Sequence, residues 1–301
     1  MSSIKCITFE EELRKNPELK LSDIRILREW CEKQAHLPKI QDVELAVFLH
    51  SNYYHIEPTK STIENYYTCR THAPELFSNR DIRKVKRLRD TFNVITNFQL
   101  EAKTKEGYSI IFSRLIDVDP THFFYNESAN ANFMSYEEYL WTHGSTLGQI
   151  FVSDVTGFAM GHMGRMNLVT MKKILYYVQN AMPMRLKGVH MINMSPMVEK
   201  MYNMMKPLIK DELINLIHFH TSLQSASEYF PIEALPNELG GKAGTLEELK
   251  NAKLKKIENF QEWFLQDEKN NRVNESLRIG ESKTSNDLFG IDGSFKKLEI
   301  D

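Results

Sequence analysis

The chain has 301 residues with 38 basic and 40 acidic side chains, a net charge of -2, which is long enough to bury a substantial core and supplies no global field toward nucleic acid or an anionic membrane. Cys6, Cys31 and Cys69 lie far apart without CxxC or CxxH spacing, which argues against a zinc site or a disulfide framework and fits a reducing compartment. The amino-terminal stretch turns charged before any segment apolar enough for a signal peptide, and no later window approaches a membrane span, so a cytoplasmic protein is expected.

In chain order, residues 22–80 carry a helical period. Ile24, Leu27, Trp30 and Cys31 share one face of a first helix that ends before Leu37-Pro38. Asp42 is placed as the cap of a second, with Leu45, Ala46, Phe48 and Leu49 inward, and a third runs from Pro58 to Thr71 with Ile63, Tyr66, Tyr67 and Arg70. Such a small helical unit is marginal alone. The basic run RDIRKVKRLRD from Arg80 to Asp90 is read as a solvated helix face or linker, without the interleaved aromatics that single-strand nucleic-acid binding uses.

From Tyr108 the period changes. SIIFSRLID reads as a strand, residues 126–143 as a helix, GQIFVSDV as a short apolar strand, residues 169–182 as a helix, GVHMINM as a third strand and LINLIHFHT, from Leu213, as a fourth. Strands alternating with helices predict an α/β domain with a largely parallel sheet. LPNELGG is a turn, residues 246–264 form another helix, and the tail from Asp267 is polar and glycine-punctuated, an extended strap or a mobile end. The expected division is 1–90, a helical amino-terminal domain; 91–245, the α/β domain; and 246–301, a helix with the tail.

Between the third and fourth strands lies a two-faced helix. Met197, Val198, Met201, Met204, Met205 and Leu208 repeat along one face while Glu199, Lys200, Asn203, Lys206 and Lys210 take the other. Ser195-Pro196 marks its start and Pro207 should kink or break it. Periodicity alone favours an ordinary core helix, although flexible thioethers also suit a wall that conforms to an apolar guest or to lipid. Signals for chemistry are weak: His218 and His220 alternate onto one strand face without a third ligand nearby in sequence, the glycines of 157–167 fit neither GxGxxG nor a P-loop, and no GxSxG is present. No enzyme, cofactor or metal is expected.

The segments ILREWCEKQAHLPKIQDVELAVFLHS, NYYTCRTHAPELFSNRD, FVSDVTGFAMGHM, MPMRLKGVHMINMSPM, MMKPLIKDEL and LPNELGG occur in an order that resembles the CRAL-TRIO (SEC14-like) lipid-binding proteins, in the α-tocopherol transfer protein-like and retinaldehyde-binding protein-like branch; the tail TSNDLFGIDGSFKKLEID looks like insect members. The resemblance implies a helical amino-terminal domain and an α/β domain whose apolar cavity is closed by a mobile gate helix, here the methionine helix. It places Phe133, Tyr136, Ser153, Tyr177, Val178, Met182, Met184, Leu186 and Val189 on the cavity wall, with Met197, Val198, Met201, Met204, Met205 and Leu208 on the gate. Ser153 stands where a tocopherol binder has an aromatic. Arg185 and Lys187 fall where basic residues are expected to meet a membrane or phosphoinositide headgroup, whereas two arginines of the family are here His50 and Asn52 and two gate-end basics are Glu212 and Leu216. The implied function is carriage of a small hydrophobic lipid, tocopherol-, retinoid- or carotenoid-like, by a monomer that exchanges it at membranes without nucleic acid. The alternative is a lipid-sensing regulator that presents its lipid to a protein partner.

Overall fold

A computed structural model describes residues 5–290. Helix α1 (Phe9–Lys15) opens with a reciprocal cap, the Thr8 hydroxyl accepting from the Glu11 amide and the Glu11 carboxylate from the Thr8 amide. Helices α2 (Leu21–Glu32), α3 (Asp42–Ser51) and α4 (Ile56–His72) follow. The cap of α3 is Gln41 rather than the expected Asp42, because the Asp42 carboxylate accepts from Arg28 at 2.9 Å instead. Pro58 sits in the first turn of α4, where a missing N–H costs nothing.

Strand β1 (Ile95–Lys103) then pairs antiparallel with β2 (Ser109–Leu115). After α5 (Tyr125–His143) the chain continues through β3 (Gln149–Asp154), α6 (Leu168–Asn180), β4 (Leu186–Ile192), α7 (Pro196–Met205), β5 (Ile217–His220), α8 (Leu246–Asn259) and α9 (Gln261–Asn270). Three sequence readings change. β1 was not anticipated; the fourth expected strand begins at Ile217 and not at Leu213, which belongs to a helical turn, Asp211–Ile214; and the helix expected over 246–264 is interrupted at Phe260.

The chain forms two compact units, each discontinuous in sequence. The helical unit combines Thr8–Asn79 with Asn167–Pro183 and the described residues after Phe264. Its core is aromatic: Phe48 meets Tyr66 edge-on at 5.1 Å and Phe77 meets Tyr177 at 4.7 Å. Arg70 is wholly buried, paired with Asp267 and lying 4.7 Å over the Phe77 ring. The tail is held to this unit by charge, Arg278 pairing with Glu64 and Glu275; its last part, from residue 291, lies outside the described residues.

The sheet unit combines Arg80–Met166 with Met184–Phe264. Its strands lie in the order β1-β2-β3-β4-β5, and all pairs after the first are parallel. One face is sealed: Phe98, Ile110, Phe112, Ile150, Val152 and Ile192 pack with Ala226, Phe230, Leu235 and Leu246. Arg80, read in sequence as part of a solvated run, is instead fully buried. It pairs with Glu137 at 2.6 Å, donates to Asn130 at 3.1 Å and lies 5.2 Å over Phe264, while Arg83, Lys84 and Lys86 of the same run are exposed.

Removing one partner of a buried pair leaves an uncompensated charge, which costs about 3–5 kcal/mol. Arg80→Leu, which strands Glu137, is therefore expected to lower the unfolding free energy by an amount of this order, read as a fall in the urea midpoint by far-ultraviolet circular dichroism; a midpoint within error of the parent would refute the assignment.

Candidate functional site

The pairing register orders the second face of the sheet into rows. Gln99, Ile111, Phe151, Val189 and Ile217 stand across the strands in one row, and Asn97, Ser113, Ser153, Met191 and Phe219 in the next. Central strands of a parallel sheet normally bury both faces. Here Ile150 and Val152 are buried on the sealed face, whereas Phe151, Ser153, Val189 and Met191 opposite them are only half-buried and Phe219 is 40% exposed. The result is an apolar floor on the two middle strands that the sheet unit does not fully cover.

Helices flank that floor. On the β2 side the Tyr139 hydroxyl of α5 lies 3.2 Å from Ser109; Phe133 and Tyr136, earlier on α5, are buried. On the β5 side the Tyr202 ring of α7 meets Phe219 edge-on at 4.8 Å. Sequence reasoning did not single out Tyr202, Met191, Ile217 or Phe219; of these only Tyr202 lies on the methionine helix, one position from Met201, and it turns toward the sheet edge.

Helix α7 is loosely held. Ser195 caps it, its hydroxyl accepting from the Val198 amide at 3.4 Å, and the α-helix gives way at Lys206 to a single 3-10 turn around Pro207. Of its ten residues only Val198 is buried: Met197, Met201 and Met205 are half-buried, as is Leu208 beyond it, and Met204 is 48% exposed. An apolar stripe in that state has little partner surface of its own. The segment leading into α7 is firm by contrast. Asp154 is ion-paired with Arg114 at 2.9 Å and accepts from Thr156 and from the Asn193 amide side chain at 3.0 Å, and Asn193 adopts a left-handed backbone, φ 58°, which asparagine tolerates well.

Residues 16–86 match the Pinta-like, UBA domain family, and residues 96–241 match the CRAL/TRIO domain family. The chain carries a CRAL/TRIO domain over residues 96–241. Over 241 residues it is 26% identical to Alpha-tocopherol transfer protein-like of Mus musculus, covering 79% of this chain and 69% of that protein, and 25% identical to the Homo sapiens counterpart, covering 79% and 70%. Clavesin-1 of Mus musculus is 24% identical over 237 residues, 76% of this chain and 66% of that protein. Among solved structures, the crystal structure of Sfh5 aligns with TM-score 0.47 and 14% identity over 80% of this chain and 91% of that chain.

The remaining wall residues of the CRAL/TRIO reading are divided between the units. Met184, Leu186 and Val189 belong with the sheet and are half-buried; Tyr177, Val178 and Met182 belong with the helical unit, where Tyr177 packs on Phe77 and Tyr66. Arg185 and Lys187 stand at the amino end of β4, the end opposite Asn193 and α7, with the Lys187 ammonium 5.6 Å over the Tyr108 ring. His50 is buried against Tyr54, and Asn52 donates to the Phe48 carbonyl at 2.9 Å. Glu212 is exposed and Leu216 half-buried. Two further cavities, about 680 Å³ beside β1 near Phe98 and Lys253 and about 540 Å³ near Arg87 and His122, share no residue with the expected wall. No helix among the described residues is long and apolar enough to cross a membrane.

The histidines singled out in sequence gather a third. His218 stacks 4.9 Å from His190, and the His190 Nδ1 and His220 Nε2 are hydrogen-bonded at 2.9 Å, with Tyr229 over the cluster. Burial first, then the neighbouring His218 and His220, push His190 down to about 3; burial and His218 also push His220 down. Both therefore favour the neutral form in the folded chain. Because their folded pKa lies below the unfolded value, the stability they contribute is complete above about pH 6.5 and is lost as pH falls toward 3. Thermal unfolding followed from pH 7 to pH 4 should show a steeper fall in Tm for the parent chain than for His190→Gln, which cannot be protonated; parallel curves would contradict this assignment.

Proposed function

We propose that the protein holds one hydrophobic molecule against the apolar floor of β3 and β4 and exchanges it at a membrane by displacement of α7. The observation that carries this reading is the unequal burial of the two middle strands, sealed on one face and half-open and apolar on the other, beside a methionine-lined helix with a single buried residue. CRAL/TRIO proteins bind and transfer lipids, and the names of the relatives, Alpha-tocopherol transfer protein-like among them, agree with such a cargo. Lipid carriage, without catalysis, is the reading that follows.

The energetics favour exchange at a bilayer. Fully exposing one large aliphatic side chain costs roughly 1.5–3 kcal/mol; because most of the α7 stripe is already half-exposed, detaching it in water costs on the order of 5 kcal/mol rather than the sum for a buried helix. Against lipid most of that cost disappears, since the stripe moves from one apolar surroundings to another. Membrane contact is assigned to this stripe; Arg185 and Lys187 stand at the far end of β4.

A second reading has one observation in its favour: His50, Asn52, Glu212 and Leu216 occupy positions where the resemblance expects basic residues. A protein with fewer headgroup-directed charges suits a regulator that presents its lipid to a partner.

Vesicle-to-vesicle transfer of a fluorescent tocopherol or retinoid analogue separates the two. With Met201 and Met204 both changed to Asp, transfer should slow by roughly tenfold or more, since an acid inserted into lipid costs about 2.5–3.5 kcal/mol, while the analogue stays bound. Unchanged transfer would sink the gate. Tight binding with no acceleration of transfer by the parent protein would favour the regulator.

A further inference from the structure

The floor carries one polar feature. Ser113 and Ser153 are register partners on β2 and β3, both half-buried, and their hydroxyl oxygens lie 3.0 Å apart. Along the same row toward β5 stand Met191 and Phe219, and the neighbouring row holds Ile111, Phe151 and Val189. A serine hydroxyl has one proton to give and two lone pairs to accept with. In the pair one proton is used between the partners, so a second proton and unfilled acceptor positions remain. Neither hydroxyl has another hydrogen-bond partner among the described residues.

We propose that this hydroxyl pair is the polar anchor of the cargo site and selects a neutral lipid bearing a single hydroxyl or carbonyl oxygen at one end; the proposal rests on the floor of β3 and β4 being the cargo site. The free proton serves an oxygen acceptor and the open lone pairs serve a hydroxyl donor. Both rows lack a charged side chain from β1 to β5, so the headgroup of a fatty acid or a phospholipid placed there would be buried without a counter-charge. A pure hydrocarbon would leave the pair desolvated and unmatched. What remains is an apolar body with one uncharged oxygen.

Phytol and phytane, one carbon skeleton with and without a terminal hydroxyl, make the test, through displacement of the uncharged hydrocarbon probe diphenylhexatriene from the purified full chain. The parent protein should release the probe at a roughly tenfold lower concentration of phytol than of phytane, the worth of one hydrogen bond to an otherwise unmatched group. In Ser113→Ala/Ser153→Ala the two should converge, because phytol loses its hydrogen bond and phytane no longer desolvates an unmatched pair, and Ser153→Thr, which keeps the hydroxyl, should retain the preference. Where the double variant fails to hold the probe, the single alanine variants carry the same comparison. Equal potency in the parent, or a preference that survives the double alanine change, overturns the anchor while leaving the cargo floor intact. A parent protein that binds neither the probe nor either lipid overturns the floor itself, and the anchor with it.

Discussion

The architecture depends on an inequality between the two faces of one sheet. In a parallel sheet the middle strands are ordinarily buried on both sides, which is why they are built from nearly continuous apolar residues. Here QIFVSD and LKGVHMI place Ile150, Val152 and Ile192 against Phe230, Leu235 and Leu246, and leave Phe151, Val189 and Met191 half-covered on the other side. Apolar surface at the centre of a sheet is costly to leave in water. The proposed guest would relieve that cost, and α7, lying against Phe219, is the element whose own stripe is similarly unsatisfied.

Much of the fold was legible because the hydrophobic period switches cleanly. The alternation in SIIFSRL, the apolar run in GQIFVSDV and the methionine repeat from Met197 to Leu208 each specify one element, and Pro207 ends the helix as its chemistry requires. Where the reading failed, competing signals explain it. Thr96, Phe98 and Leu100 alternate with half-exposed residues as a one-sided strand should, yet their polar neighbours Asn97, Gln99 and Glu101 dilute the signal of β1. At the other edge, the apolar letters of LINLI suggested a long strand, but Asp211 and Glu212 open a helical turn and only IHFH remains extended. Arg80 was hidden by its neighbours: nothing local distinguishes it from Arg83 or Lys84, and its partner Glu137 lies far along the chain.

The candidate site was legible in kind more than in detail. Periodicity identified the stripe of α7, but whether a stripe covers a permanent core or a replaceable guest is decided by how much partner surface meets it. That quantity exists only after folding. Likewise Ser153 stood out as a departure from an aromatic, whereas its partner Ser113 could not be found without the register that sets β2 beside β3. Tyr202, adjacent to Met201, reads as an interruption of the stripe; in three dimensions it is the contact between α7 and β5.

The sealed face bears on the gate as well. β5 has four residues and one neighbouring strand, so the α7 segment that joins β4 to β5 is closed by a short ladder. Side-chain contacts must supplement it, and the neutral pair His190 and His220 supplies one diagonally across that ladder, between the His190–His218 and Ile192–His220 register positions. At the other end of the segment Asp154 gathers Arg114, Thr156 and Asn193 into a fixed corner. A helix with little packing of its own thus runs between two polar anchors, one at the carboxyl end of β3 and one between β4 and β5. The proposed displacement of α7 would leave the sheet intact, because the ordering cost of its two ends is met by interactions that do not involve the methionine stripe.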